Sequence, residues 1–128
     1  MRRLMLVTVL GISAACGSKK PDPVGPVAGD LTVSYVGPSQ TDGAILLLVT
    51  GSVTAVKSAG AYQVASAAAG PTATRVVITG PIVTGDIIKL TVPDVNAAAS
   101  YSARFEAVAD RNTFALGDLS SYSATVRK

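Results

Sequence analysis

Apolar and polar residues alternate along much of this chain with a period of two, the pattern of half-buried β-strands. Leu31, Val33 and Tyr35 alternate with Thr32 and Ser34. In residues 73–79, Val76 and Ile78 oppose Arg75 and Val77. Residues 86–92 place Ile88, Leu90 and Val92 inward, with Ile87, Lys89 and Thr91 outward. The clearest run puts Tyr101, Ala103, Phe105 and Ala107 on one face and Ser102, Arg104 and Glu106 on the other. Tyr122, Ala124 and Val126 then alternate with Ser121, Ser123 and Thr125. Residues 53–57 and 62–66 predict weaker strands. Residues 44–50 are apolar on both faces, which predicts a central strand covered on both sides. The same alternation leaves Val36, Val77 and Ile87 on outer faces, where a contiguous patch would mark a partner surface.

Turn residues separate these runs. Gly37-Pro38, Asp42-Gly43, Gly51, Ser58-Ala59-Gly60, Gly70-Pro71, Gly80-Pro81, Thr84-Gly85 and Pro93-Asp94 each break the chain. The alanine runs at 65–69 and 97–99 are short and predict at most a turn of helix. Strands at this spacing, in a domain of about 100 residues, predict an all-β sandwich.

Composition narrows the chemistry. The chain has 128 residues, one cysteine, no tryptophan and no histidine. The missing histidine removes the commonest general base and the commonest transition-metal ligand. With a single cysteine, the domain must be held by apolar burial. The formal net charge is +3, but Arg2, Arg3, Lys19 and Lys20 lie before the strands. From residue 30 to 126 the basic residues Lys57, Arg75, Lys89, Arg104 and Arg111 are outnumbered by acids. That balance argues against nucleic acid as a partner.

Residues 92–108 and 118–126 carry a resemblance. Val92-Pro93-Asp94-Val95 followed by Tyr101-Ser102-Ala103-Arg104-Phe105-Glu106-Ala107-Val108 resembles the E–F corner and F strand of fibronectin type III and related immunoglobulin-like domains. Asp118-Leu119-Ser120-Ser121-Tyr122-Ser123-Ala124-Thr125-Val126 is similar to their last strand. The resemblance implies an immunoglobulin-like β-sandwich of about seven antiparallel strands. Tyr101 would then be the corner tyrosine, its hydroxyl bonding backbone near residues 94–96. The family's core tryptophan is missing, and Leu46, Leu47, Leu48 and Val49 stand in its place. A cohesin-like sandwich with extra strands is the alternative topology.

Ahead of the domain, Arg2 and Arg3 precede an apolar run at 4–12, and Ser13-Ala14-Ala15 precede Cys16. This layout resembles a bacterial lipoprotein signal, although Ser13 stands where that pattern carries leucine. The apolar run is too short to span a bilayer. The resemblance implies cleavage after residue 15 and a lipid, palmitate included, on Cys16. It also implies export to the cell envelope, and Gly17 implies delivery to the outer membrane where two membranes exist. Ordinary cleavage after Ala15 is the alternative, and it would leave a lone thiol in an oxidising compartment. Residues 16–29, with Pro21, Pro23, Pro26, Gly25 and Gly29, read as a tether. The β domain is then expected at 30–128.

Candidate chemistry is sparse. A Ser–Lys dyad drawing on Lys57-Ser58 or on the outward-facing Lys89 is the minimal hydrolase option, since no histidine can serve as base. Most acids sit beside glycine, proline or asparagine, where aspartate bonds turn backbone. A weak calcium candidate is Asp94, Asn96, Asp110 and Asn112, provided that their loops converge. No phosphate-cradling loop is present, because residues 80–85 lack a following Lys-Ser/Thr. The resulting reading is a non-enzymatic protein without cofactor, held to the membrane through Cys16 and presenting a sandwich for binding or structural purposes. The other reading is a carbohydrate- or protein-binding accessory module of a surface complex. An exposed row of tyrosines would favour a glycan partner, and an unpaired edge strand a protein partner. Truncating Leu47 to alanine should cost about 2–5 kcal/mol; an unchanged denaturant midpoint would overturn the strand assignment at 44–50.

Overall fold

The computed structural model describes residues 25–128. The signal reading, Cys16 and most of the tether therefore lie outside the described residues. Eight strands form: β1 Gly29–Val36, β2 Asp42–Thr50, β3 Ala55–Ser58, β4 Gln63–Gly70, β5 Ala73–Ile82, β6 Gly85–Val92, β7 Ser102–Asp110 and β8 Ser123–Arg127. Two short 3₁₀ turns, η1 Val95–Ser100 and η2 Leu119–Ser121, precede β7 and β8. No helix among the described residues is long and apolar enough to cross a membrane.

The strands make two four-stranded sheets, ordered β3-β6-β1-β8 and β4-β5-β2-β7. Every pairing is antiparallel. The molecule is thus the expected β-sandwich, with one strand more than about seven. The neighbours β4-β5-β2 and β3-β6 match those of an immunoglobulin constant domain, whose sheets run first-second-fifth-fourth and third-sixth-seventh. Relative to that order, β1 and β7 have exchanged sheets. The additional strand β8 flanks β1.

The core lies between the sheets. Leu31, Val33 and Tyr35 of β1 and Ile88, Leu90 and Val92 of β6 face Ile45, Leu47 and Val49 of β2 and Val76 and Ile78 of β5. The outer face of β2 is half-buried, with no layer stacked on it among the described residues. Leu48 there lies opposite Arg75 of β5 and Arg104 of β7. Arg75 reaches Glu106 of β7 at 3.2 Å, so an ion pair spans the strand between them. Long polar side chains with aliphatic stems therefore shield this face.

The register shifts at four places, Val33/Ser34, Asp42/Ala44, Leu46/Leu47 and Ala68/Gly70, and two of these shifts turn faces that the sequence alternation assigned. The β1–β6 register steps between Val33 and Ser34, paired with Ile88 and Asp86. Ile87 is the extra residue, and it is buried with Ile88 instead of facing outward. The β2–β7 register steps between Leu46 and Leu47, paired with Ala107 and Phe105. Glu106 is the extra residue there, so Val108 turns inward and Ala107 leaves the face of Ala103 and Phe105. Val36 and Val77 are exposed as expected, but they lie on different sheets and form no common patch.

The Tyr101 hydroxyl donates to the Ser52 carbonyl at 2.6 Å, in the β2–β3 loop, instead of bonding backbone near residues 94–96. The reason is Gly51. Its backbone has φ +124°, and a Cβ there would collide with the Tyr101 ring. The bare glycine lets the ring cross β2's end and carries the hydroxyl on to Ser52. Gly51→Ala should lose about 1–3 kcal/mol from backbone strain, before any steric cost. A melting temperature equal to that of the unaltered protein would overturn this placement of Tyr101.

Candidate functional site

The two ends of the sandwich differ in chemistry. At one end the chain enters: Val95 N–H donates to the Val27 carbonyl at 2.8 Å, and Val27 N–H to Asp94 Oδ1 at 3.2 Å. Asp94 also caps η1, accepting from Asn96 N–H at 3.0 Å. Asn96 Oδ1 accepts from Lys128 Nζ at 2.9 Å. At the other end lie the β1–β2 loop, the β5–β6 turn and the long connection from β7 to β8. β1 and β7 run between these ends, a span of roughly 25 Å at the rise of a β-strand.

The far end is built around Asp42, the one buried charged residue among the described residues, at 2% exposure. It opens β2, beside Asp110 of β7 and Ile82 of β5. Its Oδ2 accepts from the Tyr35 hydroxyl, and its Oδ1 from the Tyr122 hydroxyl at 3.2 Å. The Tyr35, Tyr122 and Phe105 rings pack within 5.7–6.0 Å of one another. Burial and the neighbouring carboxylate push the Tyr35 phenol well above its ordinary value. Tyr122 moves up for the same two reasons, burial first. Sealed from water, with both oxygens bonded, Asp42 has no access to a substrate and serves as a structural pin.

Above this pin the surface is apolar. Phe114 is 81% exposed and Leu116 74%, and Val36, Val83 and Leu119 are also exposed at this end. The loop that carries Phe114 is tightly held. Asp110 Oδ1 accepts from Asn112 N–H at 2.8 Å and Thr113 N–H at 3.0 Å, and Oδ2 accepts from the Thr41 hydroxyl. These bonds, Thr41 first, hold the Asp110 carboxyl down at about 2. Phe114 N–H donates to the Asp110 carbonyl at 2.9 Å, and Gly117 N–H to the Val108 carbonyl at 2.9 Å. Phe114 itself adopts φ +58°, a left-handed backbone that costs a bulky residue energy. A strained, fixed loop thus holds an aromatic ring out in water, which makes it the candidate site of this end. Sequence alternation missed it, because Phe114 and Leu116 lie outside any strand; an isolated Phe and Leu among polar residues at 110–118 was the available signal.

The other sequence candidates are kept apart or occupied. Asp94 and Asn96 sit at the entry end, and Asp110 and Asn112 at the far end, so the four cannot share one cation. No cluster of three or more His, Cys, Asp or Glu side chains with metal-binding spacing occurs among the described residues. Lys57 Nζ bonds Asp30 at 3.3 Å. Ser58 Oγ donates to the Gly60 carbonyl at 2.7 Å and accepts from Gly60 and Tyr62 N–H. The dyad is therefore two separate structural contacts. Tyr35 is buried and Tyr62, Tyr101 and Tyr122 are half-buried, so they form no exposed row for stacking sugars. No family model, no curated protein and no solved structure matches this chain.

The raised phenols give a pH signature. The unfolded chain releases its tyrosine protons near pH 10, and the folded chain holds those of Tyr35 and Tyr122 beyond it. Their contribution to stability is therefore complete below about pH 10 and is lost as pH rises further. Alkaline titration followed at 295 nm should show Tyr35 ionising only together with loss of near-ultraviolet circular dichroism, and Tyr122 above the ordinary tyrosine range. Ionisation of Tyr35 near pH 10 in the still-folded protein would overturn the Asp42 arrangement.

Proposed function

We propose that this is a non-enzymatic, lipid-anchored protein of the bacterial cell envelope that presents its β-sandwich as a binding surface. The observation that carries the reading is polarity along the long axis. The last residues of the proposed tether, through Val27, dock beside η1, and the exposed apolar loop lies at the opposite end. An anchor on Cys16 would hold the entry end towards the membrane and direct Phe114 and Leu116 away from it. A protein partner suits this end better than a glycan, because the one strongly exposed aromatic is a phenylalanine on a narrow loop. Occupied acids, an ion-paired lysine and a sealed Asp42 support a non-catalytic role. Gly17 supports delivery to the outer membrane where there is one.

Two measurements test the reading. Mass spectrometry of the membrane fraction should find residue 16 as a lipidated N-terminus; an intact Met1 or a free thiol there removes the anchor. A photoreactive phenylalanine analogue at position 114 in intact envelopes should cross-link a protein that the same analogue at position 97 does not. Equal yields at the two positions would leave a spacer role as the better description.

A further inference from the structure

A sandwich has four edge strands, and each exposes a row of unpaired backbone N–H and C=O groups that can accept another strand. Three of the four edges here are protected. β3 is four residues long and carries Lys57, which is ion-paired to Asp30. β8 is five residues long and ends in Arg127, whose Nη2 bonds both oxygens of Asp86 at 2.8 and 2.9 Å. The upper half of β7 is covered by its own loop. Ala109 bridges Leu116, Asp110 N–H bonds the Ala115 carbonyl at 3.0 Å, and Gly117 N–H bonds the Val108 carbonyl.

β4 lacks the short length, the charge and the covering loop of the other edges, and its one bulge, at Ala69, lies next to its end. It is eight residues long and reads Gln63-Val64-Ala65-Ser66-Ala67-Ala68-Ala69-Gly70, without charge or proline. It pairs only with β5, and its outer backbone edge has no partner among the described residues. Its side chains are small and mostly exposed. A depression of about 190 Å³, lined in part by Ala55, Val56, Ser66 and Ala68, opens between β3 and β4 where the sheets part. Another of about 210 Å³ lies on the outer face, between Gln63, Ala65, Val77 and Thr79. Both faces of β4 therefore have room for the side chains of an added strand.

The chemistry of the edge specifies its occupant as an extended backbone, and its composition favours a second copy of itself. A charged foreign strand would gain no complementary charge from β4. An identical strand meets no like charge, and small side chains oppose small ones. We infer that β4 pairs antiparallel with β4 of a second copy of this chain. The two four-stranded sheets would then join into one sheet of eight strands about a two-fold axis. Directly opposed residues of an antiparallel pair share a face. Self-pairing must therefore place one residue opposite its own copy, and full overlap of 63–70 puts Ser66 or Ala67 on the axis. The inference concerns the sheet alone and stands whether or not Cys16 carries lipid.

The test uses the full chain in detergent. Sedimentation equilibrium over a concentration series should show a monomer–dimer equilibrium. Ala67→Pro and Ala67→Lys should abolish the dimer, with melting of the Lys variant unchanged. Single cysteines placed in turn at positions 64–69 of a Cys16→Ser chain should give disulfide-linked dimers that peak at 66 or 67, with none from a cysteine at 123 on the opposite edge. Monomer at every concentration overturns the inference, as does a dimer that survives both substitutions. Cross-linking of β4 cysteines to a foreign protein in place of a second copy overturns it too, and would assign the edge to a heterologous strand.

Discussion

A carboxylate cut off from water must find its hydrogen bonds inside the protein. Asp42 meets that demand by tying the two sheets together. It stands at the start of β2 in one sheet, and its donors come from β1 and the residue before β8 in the other. Phe105, from β7, packs edge-on against both tyrosine rings, so β1, β2, β7 and the residue before β8 meet in the cluster. The cluster also shapes the loop above it. A Cβ on Gly117 would come 2.7 Å from the Tyr122 hydroxyl, so the chain returning from Phe114 can pass only where it has no side chain. The exposed loop is thus held from below by the pin and from within by Asp110.

The strands and their inward faces follow from alternation and turn residues. Leu31, Val33, Tyr35, Val76, Ile78, Ile88 and Leu90 all lie in the core where the period-two pattern puts them. The pattern fails where a residue is inserted. Ile87 and Glu106 each add one residue to a strand, and beyond Glu106 every side chain of β7 changes face. A bulge leaves no mark in a run of mixed apolar residues, because Ile87-Ile88 reads equally well in either phase. Residues 44–50 misled in a different way. Their apolar outer face predicted a covering layer, whereas Arg75, Glu106 and Arg104 from the flanking strands shield it. Such cross-strand cover depends on register, which one strand's sequence does not contain. The Tyr101 contact was hidden for the same reason, since Ser52 is 49 residues away along the chain.

The turn reading of the acidic residues explains much of what was legible about the site. Asp94, Asp110 and Asp118 each accept the backbone N–H two residues onward, at 3.0, 2.8 and 3.0 Å. In each case the aspartate begins a three-residue motif closed by asparagine or serine. This local bonding builds η1, the Phe114 loop and η2 in turn. Distance then separates Asp94 from Asp110. Local sequence shows that both are turn formers, but only the lie of β7 shows that they occupy opposite ends.

This use of the acids bears on function. A metal site or an acid–base pair needs oxygens that are free to face a ligand. Besides the three turn aspartates, Asp30 takes Thr91 and Lys57, Asp86 takes Ser34 and Arg127, Glu106 takes Arg75, and Asp42 takes two phenols. Hydrogen bonds, from Thr91 and Ser34 first, draw Asp30 and Asp86 below the ordinary carboxylate range. Every acidic side chain in the described sandwich is thereby committed to holding a turn, a strand pair or the sheet-to-sheet pin. Apart from the basic side chains of Lys89, Arg104 and Arg111, two features are left over: apolar side chains on the Phe114 loop and bare backbone along β4. Neither can move a proton or bind a cation through charge, but both can be covered by another polypeptide. Shape and backbone geometry are what these two features have to offer, and the proposal of a protein that works by association rests on them.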